Sequence, residues 1–554
     1  MNRITKKGIL LLLAVIMSVS IFGACQKQDE PAATETMQQT ESMEPESTMA
    51  EDEEKEMAGG LPISDEPITF TAWWPVTQEV ISAVGDLSKS EFFKELAERT
   101  NISIEFNHPA IGQEGENFNL MIATGNYPDL IYRSALYYAG GGEKAVEDGV
   151  YIELNDLIDE FAPNYKKLRE ENPEVRKMTV SDNGIITSFI DILSDEVDPW
   201  IGAVARKDWL EELGIDAPVT YDDWYEMLTA FRVEKEADAP LLLMNTGYPY
   251  MTSNFIAGYG FGVGSLDSGL VFQIDGEIKF GPLEPGFIEY VTMMNKWYME
   301  GLVDKDFFVK SGWRADAELI AQGEAGAWDD GLYMQEVYQQ ASQNPELELI
   351  ALASPVKTAG DQVHLRRHDF IVRTINSLAV TTACTNPEAA VRWVDYLYGE
   401  EGAMLANYGI EGETYEMVDG EPMLTDLIFH NPDGLTGLEA EYKYMLHDGP
   451  KYTYVTPKSG GRITEEIAES ARVWTSNTDG AYMLPPIEFV GDEGSRVSVL
   501  LGDINTLVGE KIVKMIIGAE PLSSYDDFVS QLEAMNIEEV MSIYQAALDR
   551  YNAR

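Results

Sequence analysis

The chain has 554 residues, 45% of them hydrophobic, and 39 Lys and Arg against 95 Asp and Glu, a formal net charge of −56 at pH 7. A field of that sign repels nucleic acid and anionic membrane surfaces and favours neutral or cationic ligands. Five scattered histidines, His108, His364, His368, His430 and His447, lack ligand spacing, which argues against a His-based metal site.

Arg3, Lys6 and Lys7 form a cationic start, residues 9–22 are almost wholly apolar, and Gly23 and Ala24 precede Cys25. This is the pattern of an export signal, too short to span a bilayer stably. It resembles the bacterial lipobox, although Phe22 stands where Leu is usual. The resemblance implies removal of residues 1–24 and a diacylglycerol anchor on Cys25. Cys384 is then alone, and no structural disulfide is available. Residues 25–66 read as an acidic disordered tether, rich in Glu, Thr, Ser and Pro and without apolar periodicity.

The rest is long enough for two domains with substantial cores. Residues 68–74 alternate as a strand, Phe92, Phe93 and Leu96 recur at helical spacing, and residues 101–106 resume strand alternation. A helix over 118–123 and a strand over 129–132 follow, so strands and helices alternate and a largely parallel sheet is expected. Asp182-Asn183-Gly184 predicts a turn, and residues 185–193 and 200–205 predict strands, with a crossover between lobes near them. Thr220 and Asp223 predict a capping box ahead of Trp224, Met227, Leu228 and Phe231, and Ser524 with Asp527 repeats the device. The glycine-rich 258–269 stretch lacks the context of a phosphate loop and suits turns or a hinge. Residues 271–280 predict a hairpin on Asp275-Gly276, 287–298 a helix, and 325–331 a strand running into a turn. Strands over 347–354 and 371–382 follow, then a helix with Asn386 as cap and Pro387 at its first position. The chain is expected back in the first lobe near Ile350 and ends in helices over 504–517 and 528–551.

Phe92-Phe93-x-x-Leu96, Thr100-Asn101-Ile102, Tyr127-Pro128-Asp129-Leu130 and Gly149-Val150-Tyr151-Ile152 occur in that order. Arg206-Lys207-Asp208-Trp209-Leu210, Asn386-Pro387-Glu388-Ala389-Ala390 and Gly409-Ile410-Glu411-Gly412 follow. Over nearly the whole mature chain this order resembles the extracellular solute-binding proteins of family 1, receptor subunits of sugar ATP-binding-cassette importers. The Gly-Ile-Glu-Gly segment is most similar to their LplA-like lipoprotein branch. The resemblance implies an α/β, two-lobed periplasmic-binding-protein-like fold of type II, maltose-binding-like, with a hinge and a ligand cleft between lobes. The domains read as 67–190 for the first part of lobe 1, 191–348 for the first part of lobe 2, and 349–554 for segments completing both.

A sugar receptor needs flat rings against C–H faces and amide, carboxylate or guanidinium groups for hydroxyls, because a buried unpartnered hydroxyl costs about 1–3 kcal/mol. Trp73, Trp74, Trp328 and Trp474 lie outside helical stripes and are candidates, with at most one of Trp73 and Trp74 facing a cleft. Asp129, Arg206, Tyr259 and Asp329 join them. Asp129 and Asp329 are equally suited to capping, and Arg206 to pairing with the acids near Asp208. Glu411 and Glu413 read as structural ties. Trp209, Trp224, Trp297 and Trp393 fall in helical patterns and are assigned to the core. Some alginate-oligosaccharide-binding relatives carry a calcium loop after the helix that here covers 222–231, but residues 232–240 lack its oxygen ligands. No cofactor is expected. The reading is a monomeric lipid-anchored receptor that delivers an oligosaccharide to a permease, on the outer face of a bacterial cytoplasmic membrane, with no nucleic-acid partner. A peptide or polyamine ligand on the same fold and an extracellular carbohydrate-active enzyme are the alternatives.

Overall fold

A computed structural model of the chain describes residues 60–195, 201–243, 253–261, 270–309, 317–332, 346–364, 370–455 and 464–554, with single positions between 333 and 345. The export segment, Cys25, the tether to residue 59, His368, Gly262 and Gly264 lie outside the described residues. The end of the expected tether is anchored: Ile63 is buried, and its N–H donates to the Thr100 carbonyl at 3.0 Å.

The strands are β1 (Ile68–Trp73), β2 (Ile102–Asn107), β3 (Leu130–Tyr132), β4 (Phe189–Leu193), β5 (Ile201–Arg206), β6 (Ala239–Leu242), β7 (Val271–Ile274), β8 (Glu277–Phe280), β9 (Ala325–Gly331), β10 (Leu349–Leu352), β11 (Val372–Val380), β12 (Tyr415–Val418), β13 (Glu421–Leu424) and β14 (Tyr452–Thr453). The larger sheet has the order β14-β4-β11-β3-β1-β2 and the smaller β10-β5-β9-β6, with β7-β8 and β12-β13 as separate hairpins. The opening strand-helix-strand unit is parallel as expected, and the helix Glu91–Thr100 joins β1 to β2. The sheets as wholes are mixed, because β11 runs antiparallel to both β3 and β4, and β5 antiparallel to both β9 and β10. The reason is topological: β5 and β11 each enter a sheet from the other lobe, so they run against strands that begin at the far end.

The chain passes from the larger sheet to the smaller between β4 and β5 and back between β10 and β11, and after β14 it leaves the larger sheet for the helix Glu465–Thr475, which packs on the smaller. β4 lies whole within the larger sheet, so the first crossing falls after Leu193 rather than at residue 191. β10 pairs with β5, so the chain re-enters the larger sheet at Val372 and not near Ile350.

Alternation on β1 sends Trp73 and Trp74 to opposite faces. Trp74 joins Phe92, Phe93 and Leu96, whereas Trp73 packs with Phe118, Met121 and Tyr151. Trp209, Trp224 and Trp297 fill the core of the smaller-sheet lobe and Trp393 that of the larger.

Local signals act as the sequence predicts at several joints. Thr220 and Asp223 close the capping box that opens the helix Tyr221–Glu234, and Asn386 caps the helix Pro387–Tyr396. Asp275 and Gly276 both take positive φ, 51° and 84°, which the tight β7-β8 turn requires. Ser524 departs from expectation: its hydroxyl donates to the Pro521 carbonyl and to Glu520, so it caps nothing. The final helical stretch is broken at Asn536, whose φ of 65° separates Tyr525–Ala534 from Ile537–Ala553.

Gly202 on β5 lies under the Trp474 indole, whose Nε1 donates to the Ala203 carbonyl at 2.9 Å. A Cβ there would collide with a ring already fixed by burial and that hydrogen bond. Gly202→Ala is therefore expected to destabilise the smaller-sheet lobe by about 1–3 kcal/mol, as overpacking does. Thermal unfolding measures this, and an unchanged midpoint would show that the indole is not held against the strand.

Candidate functional site

The crossings leave from one edge of each sheet: the ends of β4 and β14 and the start of β11 in the larger, and the start of β5 and the end of β10 in the smaller. Apolar strands here meet side chains that the core cannot absorb, and each edge carries a chain of buried polar groups.

In the larger sheet, Asp191 on β4 is fully buried. Its Oδ1 accepts from Thr453 Oγ1 on β14 at 2.6 Å and its Oδ2 from Asn376 Nδ2 on β11 at 3.2 Å, while Arg373 Nη1 lies 3.7 Å from Oδ2. Asn376 Oδ1 in turn accepts from the Tyr132 hydroxyl at the end of β3, at 2.6 Å. The β11/β4 register shifts between Arg373 and Ser377, an irregularity that re-aims the side chains between them. Trp74 stacks on Tyr132 with centroids 4.3 Å apart.

Arg133 follows directly, with φ 56° and its side chain half-buried beside Tyr132 and Asp448. A left-handed backbone costs a non-glycine residue energy, and such strain gathers where a side chain must be aimed. Burial lifts the Tyr132 hydroxyl well above its ordinary range, with Asp448 and Asp191 adding and Arg133 opposing, so it remains a donor. Burial also works to raise the Asp448 carboxyl, but His447, the Tyr442 hydroxyl bonded at 2.8 Å, Arg133 and Lys451 outweigh it and hold the group below its usual value.

In the smaller sheet, Asp329 near the end of β9 accepts from Asn254 Nδ2 at 2.8 Å. Asn254 Oδ1 accepts from Ser354 Oγ at 3.1 Å, and the Ser354 carbonyl accepts from Asn477 Nδ2 at 2.8 Å. The two edges thus carry buried carboxylate, amide and hydroxyl groups, joined at the larger-sheet edge by a half-buried guanidinium and a stacked aromatic pair. That set recognises hydroxyl groups and apolar ring faces. Among the described residues, no group of three or more His, Cys, Asp or Glu could hold a metal ion.

The residues singled out in the sequence fall unevenly on this frame. Asp329 belongs to it, and Trp74 does through its stack on Tyr132. Trp73 lies on the other face, edge-on to Phe118 and Tyr137, with Nε1 donating to Asn117 at 2.7 Å. Asp129 sits at the opposite end of β3 from Arg133, where its Oδ2 accepts from Thr71 N at 2.8 Å and Thr71 Oγ1 at 2.7 Å. Arg206 likewise ends β5 at the edge away from Asp329. It is buried, donates to Asp208 through Nε at 2.7 Å and lies 4.2 Å over the Trp209 ring, so the pairing alternative describes it. Trp328 turns into a satellite core with Tyr338 and Trp474.

Trp474 is the last-turn residue of a helix, Glu465–Thr475, and packs that helix on β5. Tyr259 lines a cavity of about 570 Å³ with Tyr221, Tyr225, Glu289, Lys296 and Lys357, and burial pushes its hydroxyl up to about 12. Arg133, Asp191, Asn376, Asn254 and Ser354 escaped sequence reasoning. Asp191 and Asn376 had a readable signal, lone polar residues inside apolar strands.

Comparison with known proteins places these edges in context. A model of the family described as bacterial extracellular solute-binding protein matches residues 85–404, more than half of the chain. The fructooligosaccharide ABC transporter substrate-binding protein FusA of Streptococcus pneumoniae serotype 4 (strain ATCC BAA-334 / TIGR4) is 25% identical over 521 residues, 88% of this chain and 93% of that protein. Lipoprotein LipO of Bacillus subtilis (strain 168) is 23% identical over 506 residues, 84% of this chain and 91% of its own length. Among solved structures, alginate-binding protein AlgQ2 without calcium ion shares the fold, with TM-score 0.71, 21% identity and coverage of 88% of this chain and 99% of that one. Two mixed sheets joined by three crossings, with the family match running from Gly85 across both, make this chain a member of the bacterial extracellular solute-binding protein family.

Proposed function

We propose that the chain captures an oligosaccharide outside the cytoplasmic membrane and delivers it to the transmembrane subunits of an ATP-binding-cassette importer. In this reading residues 1–24 are removed, a diacylglycerol on Cys25 anchors the protein, and it works as a monomer. The observation that carries the reading is the similarity to a fructooligosaccharide receptor over 93% of that receptor's length.

The chemistry of the two edges supports it. A sugar offers hydroxyls at its rim and C–H groups on its faces. Arg133, Asp191, Asn376 and Tyr132 supply polar partners from one lobe, with Trp74 behind them, and Asp329, Asn254 and Ser354 supply partners from the other. A neutral ligand also suits a chain whose charge of −56 opposes anions. Capture then follows from lobe closure: a ligand bonded to both edges stabilises the state in which they approach, and the permease reads that state. No covalent step is involved. The domain division follows the sheets, with lobe 1 built on β1–β4, β11 and β14 and lobe 2 on β5, β6, β9 and β10.

A thermal-shift panel of neutral oligosaccharides, peptides and polyamines tests the ligand class. An oligosaccharide at 100 times its dissociation constant is expected to stabilise the protein by about 2.7 kcal/mol. Stabilisation by polyamines or peptides alone would overturn the carbohydrate reading and keep the receptor. With the bound sugar identified, Arg133→Ala is expected to weaken binding by about ten-fold or more, the loss of a charged hydrogen bond, while the unfolding midpoint of the free protein changes little. Unchanged affinity in titration calorimetry would remove Arg133 from the site.

A further inference from the structure

The last helix, Ile537–Ala553, touches both apolar cores. Ile537, Val540, Tyr544 and Leu548 lie in that of the smaller-sheet lobe, and Tyr551, less than a turn further, lies in that of the larger. Gln545 fixes the helix on the β7-β8 hairpin: Oε1 accepts from Ile278 N at 2.8 Å and Nε2 donates to the Gly276 carbonyl at 2.9 Å. Five residues on, Arg550 joins the lobes. Its Nε donates to Asp182 Oδ2 at 2.6 Å and its Nη2 to Glu493 Oε2 at 2.6 Å.

Arg554 completes the cluster. Its Nε donates to Asp182 Oδ1 at 2.8 Å, and its Nη1 donates to the Lys177 carbonyl at 3.1 Å and to that of Val180. The Lys177 ammonium sits 4.3 Å over the Tyr551 ring. The side chains of Asp182 and Arg554 are only 6% and 7% exposed, so both charges are nearly dry. The helix Glu493–Ile516 also meets the larger-sheet lobe here, where a Cβ on Gly494 would lie 2.9 Å from Gly140 Cα. The surroundings are rich in acid. Burial pushes the Glu488 carboxyl up to about 7, with Asp182 and Glu143 adding to the shift and Arg554 opposing it. The two guanidiniums are what keep Asp182 tolerable at this junction.

Pulling the lobes apart at this point would strand desolvated charges and withdraw Tyr551 from a core, both costly. Between β10 and β11 the described residues 353–364 form only turns and isolated bridges, and such a stretch can absorb a change of backbone angle instead. We infer that Asp182, Arg550 and Arg554 form the fixed pivot about which the two lobes turn during capture, positioning residues for a ligand they do not touch. The inference rests on the proposed closure, whichever ligand drives it.

Single-molecule energy transfer between one dye on each lobe of the full mature chain tests this without ligand. The parent protein is expected to show a narrow distribution of distances, and Arg550→Ala/Arg554→Ala a broadened one. Asp182→Asn keeps the volume of the carboxylate and is expected to broaden it as well, which covers the case in which the double variant fails to fold. Distributions as narrow as the parent's in a folded variant would overturn the pivot. A second readout is affinity for the sugar found in the thermal panel, expected to fall by about 5- to 10-fold in Asp182→Asn through the interlobe equilibrium. Because the first readout needs no ligand, failure of every oligosaccharide to bind would count against the carbohydrate reading and leave the pivot result intact.

Discussion

Asp191 is the constraint on which the working geometry depends. It is a fully buried carboxylate on β4, bonded to Asn376 on β11 and Thr453 on β14. Each of those strands leads into or out of a crossing between lobes. One ionisable side chain therefore stitches together the three strands that must stay in register while the segments beyond them bend. Burying it is costly, and the cost is offset only while Thr453, Asn376 and the nearby Arg373 remain in place. The same bonds orient Asn376 toward Tyr132, so the network that secures the crossings also sets the polar edge of the larger sheet.

This coupling gives the proposed capture mechanism its physical content. The proposed site lies where the sheet cannot slip without unpairing a buried carboxylate, which suits a mechanism in which each lobe moves as a body. The smaller-sheet lobe carries a second such chain, in which the Asp329 carboxylate is held by the amide of Asn254, and Asn254 by Ser354 at the start of the second crossing. A ligand with several hydroxyls suits such edges because each hydroxyl both donates and accepts. A single cation would answer the carboxylates alone.

Much of the architecture was legible in the sequence, and the misses have common causes. Thr220 with Asp223, Asn386 with Pro387 and Asp275 with Gly276 act locally, so their residue types suffice to specify the joints they form. The mixed sense of the sheets was not legible, because it depends on where a strand enters a sheet and periodicity carries no direction. The site was less legible still. Trp474 looked like a loop aromatic in a polar run, yet it is the end of a helical stripe that meets Gly202, a partner 272 positions away in the chain. Asp129 and Arg206 have the chemistry expected of a sugar site but stand at the strand ends away from the crossings. Which end faces the other lobe is set by the crossings, and these are visible only once the strands are paired.

Hydrogen exchange with and without the most stabilising oligosaccharide tests the central claim most directly. Binding between the two polar edges predicts added protection on both lobes, at 132–135, 189–192 and 373–377 in one and around 254 and 354 in the other. Protection confined to one lobe, or to the segments around Tyr221 and Tyr259, would contradict capture between the edges.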